Sequence, residues 1–157
     1  MNYFAHGRLF LDDPYFLAGT AVPDWLNVVD RRMRCRAKQA QGFVDADDPH
    51  LASLARGIIQ HHQDDQWFHQ TRAFAELSLE FSRRIRELLA PDVGFRPSFL
   101  GDILVELLLD GLLAEEDPEG LQRYYIALEQ LDIHLLQSYI NRLATRTTDR
   151  FPHILPR

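Results

Sequence analysis

Hydrophobic side chains recur along most of the chain at intervals of three and four residues, which is the period of an amphipathic α-helix. The clearest case lies between Thr71 and Leu89, where Phe, Leu or Ile returns at positions 74, 77, 81, 85 and 88. Val, Ile and Thr do not cluster in alternating runs, so β-strands have little support. The pattern predicts an all-α protein of six or seven helices.

Prolines preceded by Asp mark several predicted helix starts, because Asp caps a helix N-terminus and Pro fits the first turn. Such pairs occur at Asp13-Pro14, Asp48-Pro49 and Asp117-Pro118, and Pro23 is expected to end one helix and begin another. The predicted helices cover about 2–10, 14–22, 23 into the basic run at 31–38, 49–61, 71–89, 97–113 and 118–145. Residues 39–47 are predicted as a loop, 90–94 as a helix-ending turn, and 149–157 as an irregular tail.

The 157 residues contain no repeat, low-complexity tract or long linker, which predicts one helical domain over 1–157, ordered from about 2 to 146. No apolar stretch approaches the roughly 20 residues that cross a bilayer, so we expect no transmembrane segment. The first residues show no secretion signal. The single cysteine, Cys35, cannot form an internal disulfide, which favours a reducing compartment, and we expect the cytoplasm.

The formal net charge of −6 disfavours nonspecific nucleic-acid binding as the main task. The charge is uneven, because five cations fall within eight residues: Arg31, Arg32, Arg34, Arg36 and Lys38. A solvated helix end or loop explains this run most simply. The alternative is a patch that binds a phosphate or an acidic partner.

A dense group of histidines and acids lies at residues 61–69. His61, Asp65 and His69 are spaced four apart, so a continuous helix would place them on one face, with His62 beside them. Imidazole nitrogens and a carboxylate together suit a divalent metal ion such as Mn²⁺, Fe or Zn²⁺. The alternative is a polar helix face without a ligand.

Three further acids, Asp102, Glu106 and Asp110, form a stripe along a predicted helix that is apolar on its other faces. Buried carboxylates need a metal ion or a basic partner, or they lose their charge. A narrow wetted face or pairing with arginines would also satisfy them. His6 and Asp24, each taken alone, suggest a hydrogen-bonded histidine and a first-turn helix residue.

In their order along the chain, four short motifs resemble those of the acyl carrier protein phosphodiesterase family, a divergent relative of the HD-type metal phosphohydrolases. The first is Met1-Asn2-Tyr3-Phe4-Ala5-His6, and the others are Gly19 with Asp24-Trp25, His61 with Asp65, and Glu106 with Asp110. The resemblance extends to about residue 113. Thr71-Arg72 replaces the family's His-Pro, Glu106 replaces an Asp, and the adjacent His-Asp pair of true HD domains is absent.

The resemblance implies an HD-like helical hydrolase that uses a divalent metal to release phosphopantetheine from an acidic carrier protein. It implies the metal ligands His6, Asp24, His61 and Asp110, and Asp24→Asn and Asp110→Asn are then expected to abolish metal retention. Asp65 or Glu106 would orient or deprotonate the attacking water. His62, His69 and Asp102 are alternates or supporting groups, and the basic run 31–38 would neutralise the phosphate or bind the carrier protein.

Two other functions stay open. The Ala21-Val22-Pro23-Asp24-Trp25 stretch is similar to zinc-dependent phospholipase C-like proteins, which would make the substrate a phospholipid-type diester. A non-catalytic helical domain for binding or assembly would have its acids paired with arginines and its histidines solvated. Bound metal in the purified protein separates the enzyme hypotheses from the non-catalytic one.

Overall fold

The structure, a computed structural model, describes residues 1–89, 94 and 96–154. These residues form nine α-helices and one 3₁₀ turn without any strand, which confirms the predicted all-α class. In chain order the helices are α1 (Tyr3–Gly7), α2 (Pro14–Val29), α3 (Ala37–Ala40), α4 (Pro49–His69), α5 (Arg72–Leu88), α6 (Pro97–Glu116), α7 (Pro118–Glu129), α8 (Ile133–Leu143) and α9 (Phe151–Ile154). The 3₁₀ turn, Gln41–Phe43, follows α3.

Helices α2 and α4 form the centre of the fold and pack closely along their length. Gly19 of α2 lies against Gly57 of α4, and a Cβ added at Gly57 would overlap the Phe16 carbonyl oxygen and lie 2.9 Å from the Gly19 Cα. The two backbones therefore approach closely because neither glycine carries a side chain. The main core surrounds this pair and includes fully buried Leu26, Leu54 and Ile140.

Helices α5 and α6 form an antiparallel hairpin, in which α5 packs chiefly on α6. Small residues set the crossing point, since a Cβ on Gly101 would lie 2.5 Å from the Ser82 Oγ and 2.6 Å from the Ser78 carbonyl oxygen. Helix α6 also contacts α1 and α7, so it connects the hairpin to the rest of the fold.

Most predicted helix starts are confirmed by their caps. The side chains of Asp13, Asp48 and Asp117 accept hydrogen bonds from backbone N–H groups at the starts of α2, α4 and α7. Thr71 caps α5 in the same way, through the Phe74 N–H. Each cap satisfies a donor that has no partner inside the helix.

Several predicted boundaries are wrong. Pro23 does not divide a helix but lies inside α2, where buried residues on both sides, among them Val22 and Leu26, hold the helix in the core. The long predicted helix at 118–145 is two helices, because Asp132 caps a new start. The basic run at 31–38 is mostly non-helical, and helical turns replace part of the predicted loop at 39–47 and of the predicted tail at 149–157. Residues 90–93 of the predicted turn and 155–157 of the tail lie outside the described residues.

Among the described residues, no helix combines the length and the apolarity that crossing a bilayer requires.

Candidate metal centre

Three side chains from two helices, α1 and α4, converge in the fold. His6 of α1 and His61 and Asp65 of α4 each offer one donor atom, and these atoms all lie within 4.8 Å of one another. Both histidines are buried, whereas the Asp65 side chain is 29% exposed. Two imidazoles and a carboxylate at this separation can hold a divalent metal ion.

The His61 ring is fixed by helix α2. Its Nδ1 donates a hydrogen bond of 2.8 Å to the Thr20 carbonyl oxygen, so the proton of the neutral ring resides on Nδ1. Its Nε2 then faces the cluster, 3.4 Å from Asp65 Oδ2. In the protonated ring this nitrogen donates to the carboxylate, and in the neutral ring its lone pair could bind a metal ion. A hydrogen bond on the outer nitrogen is the usual way in which a metal-binding histidine is oriented. The close approach at Gly19 and Gly57 places Thr20 within reach of His61.

The His6 ring has an equivalent support. Its Nδ1 lies 3.3 Å from Asp64 Oδ2, and Asp64 in turn accepts a 2.7 Å hydrogen bond from the Gln60 side chain. Its Nε2 lies 3.2 Å from Asp65 Oδ1 and 3.1 Å from the Met1 carbonyl oxygen. Nε2 is therefore the nitrogen that a metal ion would bind, and the contact of Nδ1 with Asp64 would hold the ring in place.

Asp110, a predicted ligand, has another contact in the structure. Its carboxylate accepts hydrogen bonds from the backbone N–H groups of Phe4 (3.3 Å) and Ala5 (2.7 Å), so α6 caps the first turn of α1. Helix α1 has only five residues, and Asn2 at its N-cap makes no side-chain hydrogen bond. Asp110 therefore positions His6 through α1 and lies outside the group of three donors.

We expect Asp110→Ala to lower the free energy of unfolding by about 0.5–2 kcal/mol, the usual range for loss of an N-terminal cap. Urea unfolding monitored by circular dichroism measures the change. Asp102→Ala on the same helix is the matched control, expected to stay within about 0.5 kcal/mol of wild type. Equal effects of the two substitutions would contradict the capping role of Asp110.

The charges of the cluster are strongly coupled. Burial alone would raise the pKa of Asp65, but hydrogen bonds from His6, His61 and the Met1 amino group hold it below its usual range. Burial alone would lower the pKa of His61, but the hydrogen bond to Asp65 and the charge of Asp24 raise it overall. At neutral pH Asp65 is therefore an anion, as a metal ligand must be.

Asp24 lies close enough to the cluster for its charge to act on it, although it is not one of the three donor residues. Burial raises the pKa of Asp24; the charge of His61 opposes this change, and the charge of Asp65 adds to it. A carboxyl group with a raised pKa beside the three donor residues is suited to accept and release a proton.

The Met1 amino group lies among the acids of the cluster. It is 2.6 Å from Asp65 Oδ1 and 3.7 Å from Glu106 Oε1. A cation is thus present where the carboxylates of α4 and α6 face each other. The cluster's negative charge is partly compensated by this ammonium group without a metal ion.

The remaining predicted residues are dispersed around the cluster. Glu106 accepts a 3.0 Å hydrogen bond from His69 Nε2, which ties the end of α4 to α6. His62 lies edge-to-face against the His61 ring and donates from Nε2 to the Cys35 carbonyl oxygen at 2.7 Å. Asp102, on the same helix as Glu106, is not among the donor residues.

Sequence reasoning missed the supporting partners Thr20, Asp64 and Gln60. The Thr20 contact uses a backbone carbonyl, which leaves no trace in residue type. Gln60 and Asp64 are spaced four apart on the same helix, as a side-chain hydrogen bond requires, so their pairing was detectable. The contact of Asp64 with His6 joins residues 58 positions apart and had no local signal.

The basic segment, residues 31–38, alternates between burial and exposure. Met33 and Cys35 are buried in the core, whereas the five cations between and around them are exposed. Arg32 pairs with Asp30, and Arg34 donates to the carbonyl oxygens of Arg31 and Met33. No ion pair within the described part of the chain involves Arg31, Arg36 or Lys38.

A surface cavity of about 360 Å³ connects this segment with α4. Its lining includes Lys38 of the basic segment and His62, Gln63 and Gln66 of α4. The cavity thus borders His62, the chain neighbour of the candidate ligand His61. The hydrogen bond between His62 and Cys35 fixes the segment to the helix that carries two of the three donors.

Comparison of the chain with protein-family models, with curated proteins and with solved structures finds no significant match.

Proposed function

We propose that the protein is a metal-dependent phosphodiesterase or phosphohydrolase whose metal ion is held by His6, His61 and Asp65. One observation carries this proposal: the two imidazoles and the carboxylate converge while both Nδ1 atoms face oxygens outside the cluster. That arrangement presents both Nε2 atoms to Asp65. It is the outer-shell support that metal-binding histidines require.

The donor set offers nitrogen and oxygen atoms and no thiolate, which suits Mn²⁺, Fe or Zn²⁺. The one cysteine, Cys35, is buried in the main core, and burial raises its pKa to about 12. A bound divalent ion would lower the pKa of water and polarise a phosphoryl oxygen.

Residues of the chain would supply the other functions. Asp24 would take a proton from the attacking water, because burial raises its pKa and it lies near the cluster. Asp64, Thr20 and Asp110 would hold the two histidines in place. Arg31, Arg36 and Lys38 would attract the phosphate or an acidic protein that carries it.

The resemblance noted in the sequence favours a phosphopantetheine-type diester on an acidic carrier protein as the substrate. A phospholipid-type diester is the alternative within the same chemistry. The exposed cations of the basic segment support the carrier protein, because an acidic surface would meet them without an opposing charge.

Metal addition and diester hydrolysis test the proposal together. Protein purified without a histidine tag and stripped with EDTA is titrated with Mn²⁺ or Zn²⁺ while its Tm is followed. We expect the Tm to rise, since an ion that binds only the folded state stabilises it. Hydrolysis of bis-p-nitrophenyl phosphate should appear with the same metal dependence.

Two results would count against the proposal. A Tm unaffected by either ion would remove the metal site, and a metal-bound protein inactive on phosphodiesters would remove the reaction. The first would favour a second candidate, a non-catalytic helical module. The Met1 amino group supports that candidate, because it already balances part of the charge of Asp65 and Glu106.

Charge reversal in the basic segment tests the partner. We expect the triple variant Arg31→Glu, Arg36→Glu, Lys38→Glu to raise KM for an acidic carrier-protein substrate about tenfold or more, because charged patches accelerate encounter with opposite charge. The rate on bis-p-nitrophenyl phosphate should fall much less than this, because the small diester carries one negative charge and no acidic protein surface. The control variant reverses three exposed acids outside the basic segment, Asp45, Asp47 and Glu119, to Lys, and its KM should not rise. Equal KM values for wild type and the triple variant would exclude this docking surface.

A further inference from the structure

The α5–α6 hairpin exposes leucines along one side of each of its helices. On α6, Leu104, Leu108 and Leu112 recur every four residues with Leu107 beside them, and each is between 36% and 58% exposed. On α5, Leu77 and Leu88 lie on one stripe and are 46% and 83% exposed. These six leucines constitute the hairpin face.

No charged side chain interrupts the hairpin face on α6. The three charges between Pro97 and Ala114 are Asp102, Glu106 and Asp110, and helical spacing places them on another side of the helix. Glu106 bonds to His69 and Asp110 to α1, so this acidic side faces the rest of the fold. The hairpin face therefore points away from the candidate metal centre.

Ion pairs within the chain lie on and beside the hairpin face on α5, where Arg84 falls on the stripe between Leu77 and Leu88. Arg84 pairs with Glu80, and Arg83 pairs with Glu80 and Glu87, at distances from 2.5 to 3.0 Å. These charges already have partners, so covering the leucines beside them would leave no charge of this group unpaired. An apolar centre with a polar border is the usual anatomy of a protein interface.

The area of the hairpin face matches the needs of a symmetric dimer. The exposed fractions of the six leucines correspond to about 600 Å² per chain, at the upper limit for the largest apolar patch of an ordinary monomer. Two such faces would together remove roughly 1,200 Å² from water, which reaches the lower end of stable specific interfaces.

We propose that the hairpin face binds the same face of a second copy of this chain and forms a twofold dimer. A second copy suits the face because it presents the same six leucines over the same area, with the nearby charges of α5 already paired, and a twofold axis closes the assembly at two subunits. The acids of α6 and the net charge of −6 disfavour an anionic lipid surface as the occupant.

Sedimentation velocity of the full chain tests the dimer. At about 100 μM we expect the mass of wild type from sedimentation to be twice the monomer mass of 18.3 kDa. The double variant Leu104→Glu, Leu108→Glu should sediment as a monomer with unchanged far-UV circular dichroism, since it buries two charges at the contact. Leu79→Glu is the matched control: Leu79 is 72% exposed on the opposite side of α5, and its substitution should leave the dimer intact.

The proposal fails if wild type sediments as a monomer at this concentration or if the double variant stays dimeric. Flotation of a monomeric wild type with phosphatidylcholine vesicles would assign the hairpin face to lipid and overturn the dimer. Metal binding by the double variant is measured in parallel. It should equal that of wild type, because the hairpin face and the candidate metal centre lie on different sides of α6, so the two proposals can fail separately.

Discussion

Asp65→Asn is expected to weaken Mn²⁺ or Zn²⁺ binding at least about 100-fold, because the loss of outer-shell partners alone typically weakens binding 10–100-fold and Asp65 is a proposed ligand. The amide has the shape of the carboxylate but lacks the charge that faces both Nε2 atoms. Phosphodiester hydrolysis should fall by at least the same factor. Isothermal titration calorimetry measures the affinity, and bis-p-nitrophenyl phosphate reports the rate.

Two further variants make this prediction specific. Asp64→Asn should weaken binding about tenfold, since it changes only the support of His6 Nδ1. Asp47→Asn makes the same chemical change at an exposed position, and it should have no effect on affinity. Full metal content in Asp65→Asn would show that Asp65 is not a ligand, and equal losses in Asp65→Asn and Asp64→Asn would contradict their different roles.

Gly57→Ala should lower the free energy of unfolding by about 3 kcal/mol or more, the upper range for overpacking a core. Its new Cβ would overlap the Phe16 carbonyl oxygen and would lie 2.9 Å from the Gly19 Cα. Backbone atoms of two long helices cannot move aside as a flexible side chain would. At this chain length the loss corresponds to a fall in Tm of roughly 6–12 °C, measurable by calorimetry.

Gly57→Ala should also weaken metal binding, because any separation of α2 from α4 lengthens the 2.8 Å contact between His61 and Thr20. Gly42→Ala is the control, since a Cβ at Gly42 meets nothing within 4 Å and its variant should stay within about 0.5 kcal/mol of wild type. A Gly57→Ala protein as stable as wild type would show that the two helices can separate without cost.

Local sequence information was sufficient for the class of fold and for most helix starts. The caps at Asp13, Asp48, Thr71 and Asp117 act within four residues, so residue type and spacing predict them directly. The prediction at Pro23 was wrong because the sequence shows the helix hydrogen bond that a proline removes. It does not show the core contacts that hold α2 together on both sides of Pro23.

For the candidate metal centre, the sequence by itself determined the donors that share one helix. His61 and Asp65 are four residues apart, and α-helical geometry requires them to be neighbours. Residue spacing gave no link between His6 and this pair, and only the resemblance grouped His6 with His61. The tertiary structure decided that His6 lies beside Asp65 as well and that Asp110 supports α1 instead, since these contacts join residues 55 or more positions apart. Their placement depends on how closely α2 approaches α4 and on where α6 meets α1, and side-chain packing between distant segments sets both.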